Sequence, residues 1–91
     1  MNAILKVSDN DNVITCLRGF VKGEEIIVDG KKYIVRENIP QFHKMAIDHI
    51  KKNSYVYKYG QVIGTATNDI NEGEYAHAHN IESTRGRGDK K

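Results

Sequence analysis

The chain has 91 residues, 38% hydrophobic and 29% charged, with a formal net charge of +2. That is one domain with a small core: a chain of this size buries only about 60–65% of its unfolded surface, so a shallow surface, or half of a pocket that a partner completes, is expected rather than a deep enclosed one. No apolar run approaches the ~20 residues that cross a membrane, no basic start leads into an apolar centre and a cleavage site, and the lone Cys16 excludes an internal disulfide and fits a reducing cytoplasm.

The elements are mostly β. Ala3 to Val7 reads as a short strand, and Val13 to Leu17 as a second, with Cys16 a buried, inert thiol inside it. Glu25 to Val28, then Asp29-Gly30, then Lys31 to Val35 is a hairpin, because Asp-Gly between β-branched runs supplies the two positive φ values of a tight turn. Between Pro40 and Lys51 the spacing of Phe42, Met45, Ala46 and Ile50 predicts one or two short helical turns. Tyr55 to Tyr57 and Gln61 to Ala66 are strands about a turn at Gly60, and Tyr75 to Ile81 is the last strand. The domain spans 1–82; residues 83–91 form a basic Gly/Arg tail, in which Arg85, Arg87, Lys90 and Lys91 against Asp89 give +3 and leave residues 1–83 at −1. The body is thus no platform for nucleic acid, and any anion-seeking character is expected in the tail.

A weak internal repeat runs through these elements. Phe20, Ile39, Ile50 and Ile70 each lead into a turn of small or polar residues that returns into a strand. Their long-short-long spacing predicts two similar halves rather than a solenoid, which would keep a single period.

Chemistry concentrates late in the chain. In a strand, His77 and His79 would share a face. Two imidazoles side by side can ligate one metal ion or divide binding and proton transfer, and they can equally be solvated surface residues. Two ligands do not complete a metal site, so the rest would come from elsewhere, including another chain. His43 and Lys44 follow Pro40 in a turn, where the lysine can hold a carboxylate and the histidine can move a proton. His49 reads as structural. Lys58 sits between Tyr57 and Tyr59, either as a cation on an aromatic strand or as a lysine protecting a sheet edge. Arg85 and Arg87, spaced by glycines, suit an anion or a neighbouring subunit.

Ile39-Pro40-x-x-His43-Lys44-x-Ala46, Lys58-Tyr59-Gly60-x-x-Ile63-Gly64-x-Ala66-Thr67-x-Asp69-Ile70-x-x-Gly73-Glu74 and His77-x-His79-Asn80 together resemble the N-terminal SAF domain of altronate and galactarate dehydratases. The likeness runs from about Ala3 to Glu82, and the tail resembles the ending of stand-alone small subunits, of which the sulfolactate sulfo-lyase small subunit is a relative. Two turns depart from the family pattern: Phe42 stands where a glycine is usual, and Asn53-Ser54 replaces Gly-Glu. Asparagine tolerates positive φ better than most residues.

The resemblance implies a mostly β, β-clip SAF fold and a hydro-lyase reaction on a hydroxy acid such as altronate or galactarate. This chain would be a small subunit, inactive alone, beside a larger catalytic subunit that holds most of a divalent metal, iron in most of the family. It implies His77, His79 and Lys44 as catalytic residues, with His77 and His79 also as metal ligands. His43, Asn80, Lys58, Arg85 and Arg87 would bind substrate. Sulfolactate as substrate, or a non-catalytic SAF binding and assembly module, are the competing readings. No nucleic acid or membrane partner is implied.

Overall fold

The computed structural model describes residues 3–83. Its strands are β1 (Ile4–Leu5), β2 (Val13–Cys16), β3 (Glu25–Val28), β4 (Lys31–Ile34), β5 (Lys44–Ala46), β6 (Tyr55–Lys58), β7 (Gln61–Ala66), β8 (Tyr75–Ala76) and β9 (Ile81–Ser83). They form a four-stranded sheet in the order β1-β2-β5-β8, the hairpin β3-β4, and the three-stranded sheet β6-β7-β9. Every pairing is antiparallel.

The β2–β5 pairing stands at the centre, and all four residues of β2 are buried. Successive strand residues point to opposite faces, and the register uses this. Ile14 opposes Met45, and both join a core with Phe20, Val28, Val35 and Ile39. Val13 opposes Ala46, and both join a second core with Ile50, Val56, Ala66 and Ile70. Together β2 and β5 are a wall shared by two small cores, in which each fully buried aliphatic side chain contributes about 1.5–3 kcal/mol.

The two halves expected from the repeat are present. Phe20 and Ile39 exchange backbone hydrogen bonds at 2.9 and 2.8 Å, and Ile50 and Ile70 do the same at 2.8 Å each way. Even the capping side chains correspond. Asn38 Oδ1 accepts the Lys22 amide at 2.9 Å, and Asp69 Oδ1 accepts the Lys52 amide at 2.8 Å.

Each anchor enters the same turn. Glu24, His43, Ser54 and Glu74 donate their amides to Val21, Pro40, Lys51 and Asn71. The residue before each donor has positive φ: Gly23 (97°), Phe42 (69°), Asn53 (75°) and Gly73 (87°). This is the type II pattern, which requires positive φ at its third position. Phe42 and Asn53, the two departures noted in the sequence, therefore keep the turn rather than reshape it. The hairpin turns match as well: Asp29-Gly30 (52°, 82°) and Tyr59-Gly60 (56°, 77°) both have the two positive φ values of type I′.

The helical turns expected between Pro40 and Lys51 do not form, and no helix occurs among the described residues. Phe42 is left-handed, its amide is held by the Cys16 carbonyl at 2.6 Å, and residues 44–46 are a strand between β2 and β8. The spacing that looked helical serves two cores instead: Met45 goes to one, Ala46 and Ile50 to the other. Nor is Tyr75 to Ile81 one strand. It breaks into β8, a turn over His77–Asn80, and β9.

Candidate active site

Asn80 causes that break. Its Oδ1 accepts the His77 amide at 2.9 Å, its Nδ2 donates to the Tyr75 carbonyl at 2.9 Å, and its own amide donates to the His77 carbonyl at 3.0 Å. Asparagine favours such local closure, because its short side chain reaches neighbouring backbone groups. Asn80 is buried, and its amide is engaged in shaping the turn. The same-face argument for His77 and His79 therefore fails as stated, yet the turn brings them together around one ring. Tyr75 stacks on His77 with centroids 5.6 Å apart and planes 10° from parallel, and its centroid is 5.2 Å from that of His79.

A second segment completes the cluster. His43 immediately precedes β5, and the pairing of Met45 with Tyr75 sets it beside β8. Its ring lies 4.5 Å from that of His77, and its Nδ1 lies 2.5 Å from the Tyr75 hydroxyl. Lys44 pairs with Ala76 in the same ladder. Lys44, His77, Ala78, Ile63, Ile81 and Ser83 line one cleft of about 270 Å³. Its far wall can come this close because residue 64 is glycine: a Cβ there would lie 2.4 Å from the Glu82 carbonyl oxygen. The cleft falls short of the roughly 300–1,000 Å³ of pockets that enclose a small ligand.

The electrostatics of the cluster are one-sided. Burial lowers the Lys44 pKa below its ordinary 10.5, and the charge of Lys58 lowers it further. Burial also lowers the His77 pKa below 6.5, followed by the repulsion of Lys44, His43 and His79. Among the described residues no carboxylate forms an ion pair with Lys44 or Lys58. His77 Nδ1 is buried with no hydrogen-bond partner among the described residues, which leaves Nε2 as the ring nitrogen that can meet a ligand. The Glu37 carboxylate accepts the Tyr75 amide at 3.0 Å.

Lys58 reaches this face through Tyr59. Its Nζ is 4.8 Å from the centroid of the Tyr59 ring, whose hydroxyl meets Thr15 Oγ1 at 3.3 Å, and Thr15 is the β2 partner of Lys44. The fold thus brings His43, Lys44, Lys58, His77 and His79 to one side of the molecule. Arg85 and Arg87 lie outside the described residues. His49 stays apart, with Nδ1 2.9 Å from Asn71 Oδ1. Cys16 is buried and its thiol is pushed up to about 11 by that burial, which makes it unreactive. Sequence reasoning set Tyr75 at the start of the strand that carries the histidines but missed its contact with His43. The only signal was its place two residues before His77.

The donors do not by themselves make a metal site. Among the described residues no group of three or more His, Cys, Asp or Glu is arranged to hold an ion, and His77 has one ring nitrogen buried. No helix among the described residues is long and apolar enough to cross a membrane.

Fold and cleft define a small, mostly β domain that carries an open cationic cleft of histidine and lysine. A family model for the altronate/galactarate dehydratase SAF domain matches residues 2–84, and the chain belongs to that family. It is 39% identical to an altronate dehydratase of Bacillus subtilis over 91% of this chain and 17% of that protein. It is 38% identical to an altronate dehydratase of Escherichia coli over 87% of this chain and 16% of that protein. A (2R)-sulfolactate sulfo-lyase subunit alpha of Chromohalobacter salexigens is 35% identical over 59% of this chain and 57% of its own length. The chain therefore spans about a sixth of the altronate dehydratases it matches.

Proposed function

We propose that this chain is the small subunit of a hydro-lyase that removes water from a polyhydroxy acid such as altronate or galactarate, working against a larger catalytic subunit. The observation that carries the reading is the cleft lined by Lys44 and His77, in which Lys44 has no ion pair with a carboxylate among the described residues. A cationic cleft of this kind is held together against its own repulsion, and a ligand carboxylate relieves it.

Elimination α to a carboxylate needs a base for the Cα proton, a cation for the enediolate that forms, and a proton for the departing hydroxyl. His77, kept neutral by its surroundings, takes the proton from Cα on Nε2, its one ring hydrogen residing on the buried Nδ1. Lys44, with Lys58 behind it, holds the carboxylate as its charge grows. The electron pair left by the proton becomes the C=C bond, and the β-hydroxyl leaves as water with a proton supplied by His79, the exposed imidazole of the cluster. The enol product rearranges to a 2-keto acid. The larger subunit supplies the remaining walls and holds the divalent metal, iron, that the family reading implies.

Elimination of sulfite from a sulfonated hydroxy acid is the second reading, supported by the likeness to a sulfo-lyase subunit. One experiment tests both. The chain is purified with the larger subunit it binds, and the complex is assayed with altronate, galactarate and sulfolactate. Turnover of one of them should fall by about 10²–10⁴-fold when His77 and His79 are both alanine, the usual worth of positioned acid–base groups. A double variant that assembles and turns over at the wild-type rate would leave the chain a non-catalytic binding module.

A further inference from the structure

The catalytic reading leaves His43 and Tyr75 without assigned parts, although they make the shortest side-chain contact of the cluster. We propose that Tyr75 is a positioning residue for His43: its hydroxyl donates to Nδ1 and so fixes the imidazole with its remaining hydrogen on Nε2, as a donor to an anion rather than a base.

The geometry carries the assignment. The Tyr75 oxygen lies 2.5 Å from His43 Nδ1, at the short end of the range for any hydrogen bond. A phenol is a strong donor and a weak acceptor, whereas an unprotonated imidazole nitrogen is a strong acceptor, so in the neutral pair the O–H points at Nδ1. In a neutral imidazole only one nitrogen carries hydrogen, which then falls on Nε2. Protonation of His43 leaves Nε2–H in place and turns Nδ1–H toward the phenol oxygen. His43 Nε2 is therefore a donor in either charge state. It has no hydrogen-bond partner among the described residues, and it is not fully buried.

Tyr75 is itself held. Its amide donates to Glu37, its ring stacks on His77, and its strand is paired to β5 next to His43. Two neighbouring imidazoles thereby take opposite duties. His77 resists protonation and serves as base, while His43, 4.5 Å away, offers a hydrogen to a ligand carboxylate or to the oxyanion formed from it. The consequence for catalysis rests on the lyase reading, but the tautomer does not.

The test is a long-range ¹H–¹⁵N correlation spectrum of the full chain with ¹⁵N-labelled histidine, at a pH where His43 is neutral, with its signals assigned by their loss in His43→Gln. The expected spectrum places the hydrogen of His43 on Nε2, with a hydrogen-bonded, unprotonated Nδ1. In Tyr75→Phe the same ring should give tautomer-averaged shifts while the backbone amide spectrum is kept. A hydrogen on Nδ1 in the wild-type chain overturns the assignment, whatever the folding of the variant. So does a folded Tyr75→Phe chain whose His43 tautomer is unchanged. Because the chain is measured without substrate or partner, failure here leaves the lyase reading standing, and failure of the lyase assay leaves the tautomer standing.

Discussion

Oδ1 of Asp11 accepts the Gly60 amide at 2.7 Å, so a buried carboxylate before β2 holds the turn that carries Tyr59. The other oxygen accepts the amides of Ser8 at 3.2 Å and Val7 at 3.4 Å. Burial alone would raise this carboxyl, but the backbone amides outweigh it, and the pKa lies below 3.8. Asp11→Ala should cost about 1.5–3 kcal/mol, the usual worth of hydrogen bonds to a charged group. The native pKa is depressed, so the contribution is complete above the unfolded value and is lost as pH falls through the native one. Urea denaturation between pH 7 and pH 3 should show an acid-side loss of stability that is shallower in Asp11→Asn. An equal slope would mean that Asp11 is not the group responsible.

The two lysines should report on each other. Lys58→Gln removes one of the two causes that lower Lys44, so the Lys44 pKa should rise part of the way toward 10.5, burial keeping the remainder. Side-chain NMR of the ¹⁵N-labelled ammonium groups reads this directly. No movement of Lys44 would separate the two and weaken the case for a joint carboxylate site.

His77 should accept its proton below the ordinary pH of 6.5. Burial is the leading cause, so Lys44→Met should bring the value back only partly. Imidazole titration by NMR measures both. An ordinary His77 would remove the reason to name it the base, since a base must be unprotonated at working pH.

The equivalent turn glycines should differ sharply on substitution. A Cβ at Gly23 meets nothing within 4 Å, whereas at Gly73 it would lie 2.2 Å from the backbone oxygen of Ile34. Gly23→Ala should therefore cost about 1–2 kcal/mol, the left-handed penalty alone. Gly73→Ala adds a clash with main chain and should cost about 3–5 kcal/mol, in the range reserved for severe lesions. Chemical denaturation of the two variants checks the contrast, and similar losses would contradict it.

The sequence announced what local chemistry decides. Gly23, Asn53, Gly73 and Asp29-Gly30 mark turns because few residues accept positive φ, and the anchors Phe20, Ile39, Ile50 and Ile70 were readable as a repeat. Their pairing two by two follows from the same spacing. What misled was periodicity. Met45, Ala46 and Ile50 fit a helix, but a strand dividing two cores buries residues on both faces. Tyr75, His77, His79 and Ile81 alternate like a strand, and nothing in that alternation reveals that the Asn80 side chain folds the segment back. The contacts of His43 with Tyr75 and of Lys58 with Tyr59, Thr15 and Lys44 depend on how distant strands are paired, which no local pattern encodes.

The correspondence of the two halves about β2 and β5 has a further meaning. The corresponding strands β2 and β5 pair antiparallel with one another, so the two halves are related about the centre of the sheet. Where the second half carries Lys44, the first keeps Ile14, sealed in a core. One half thus gives this position to the core, while the other gives it to the cleft.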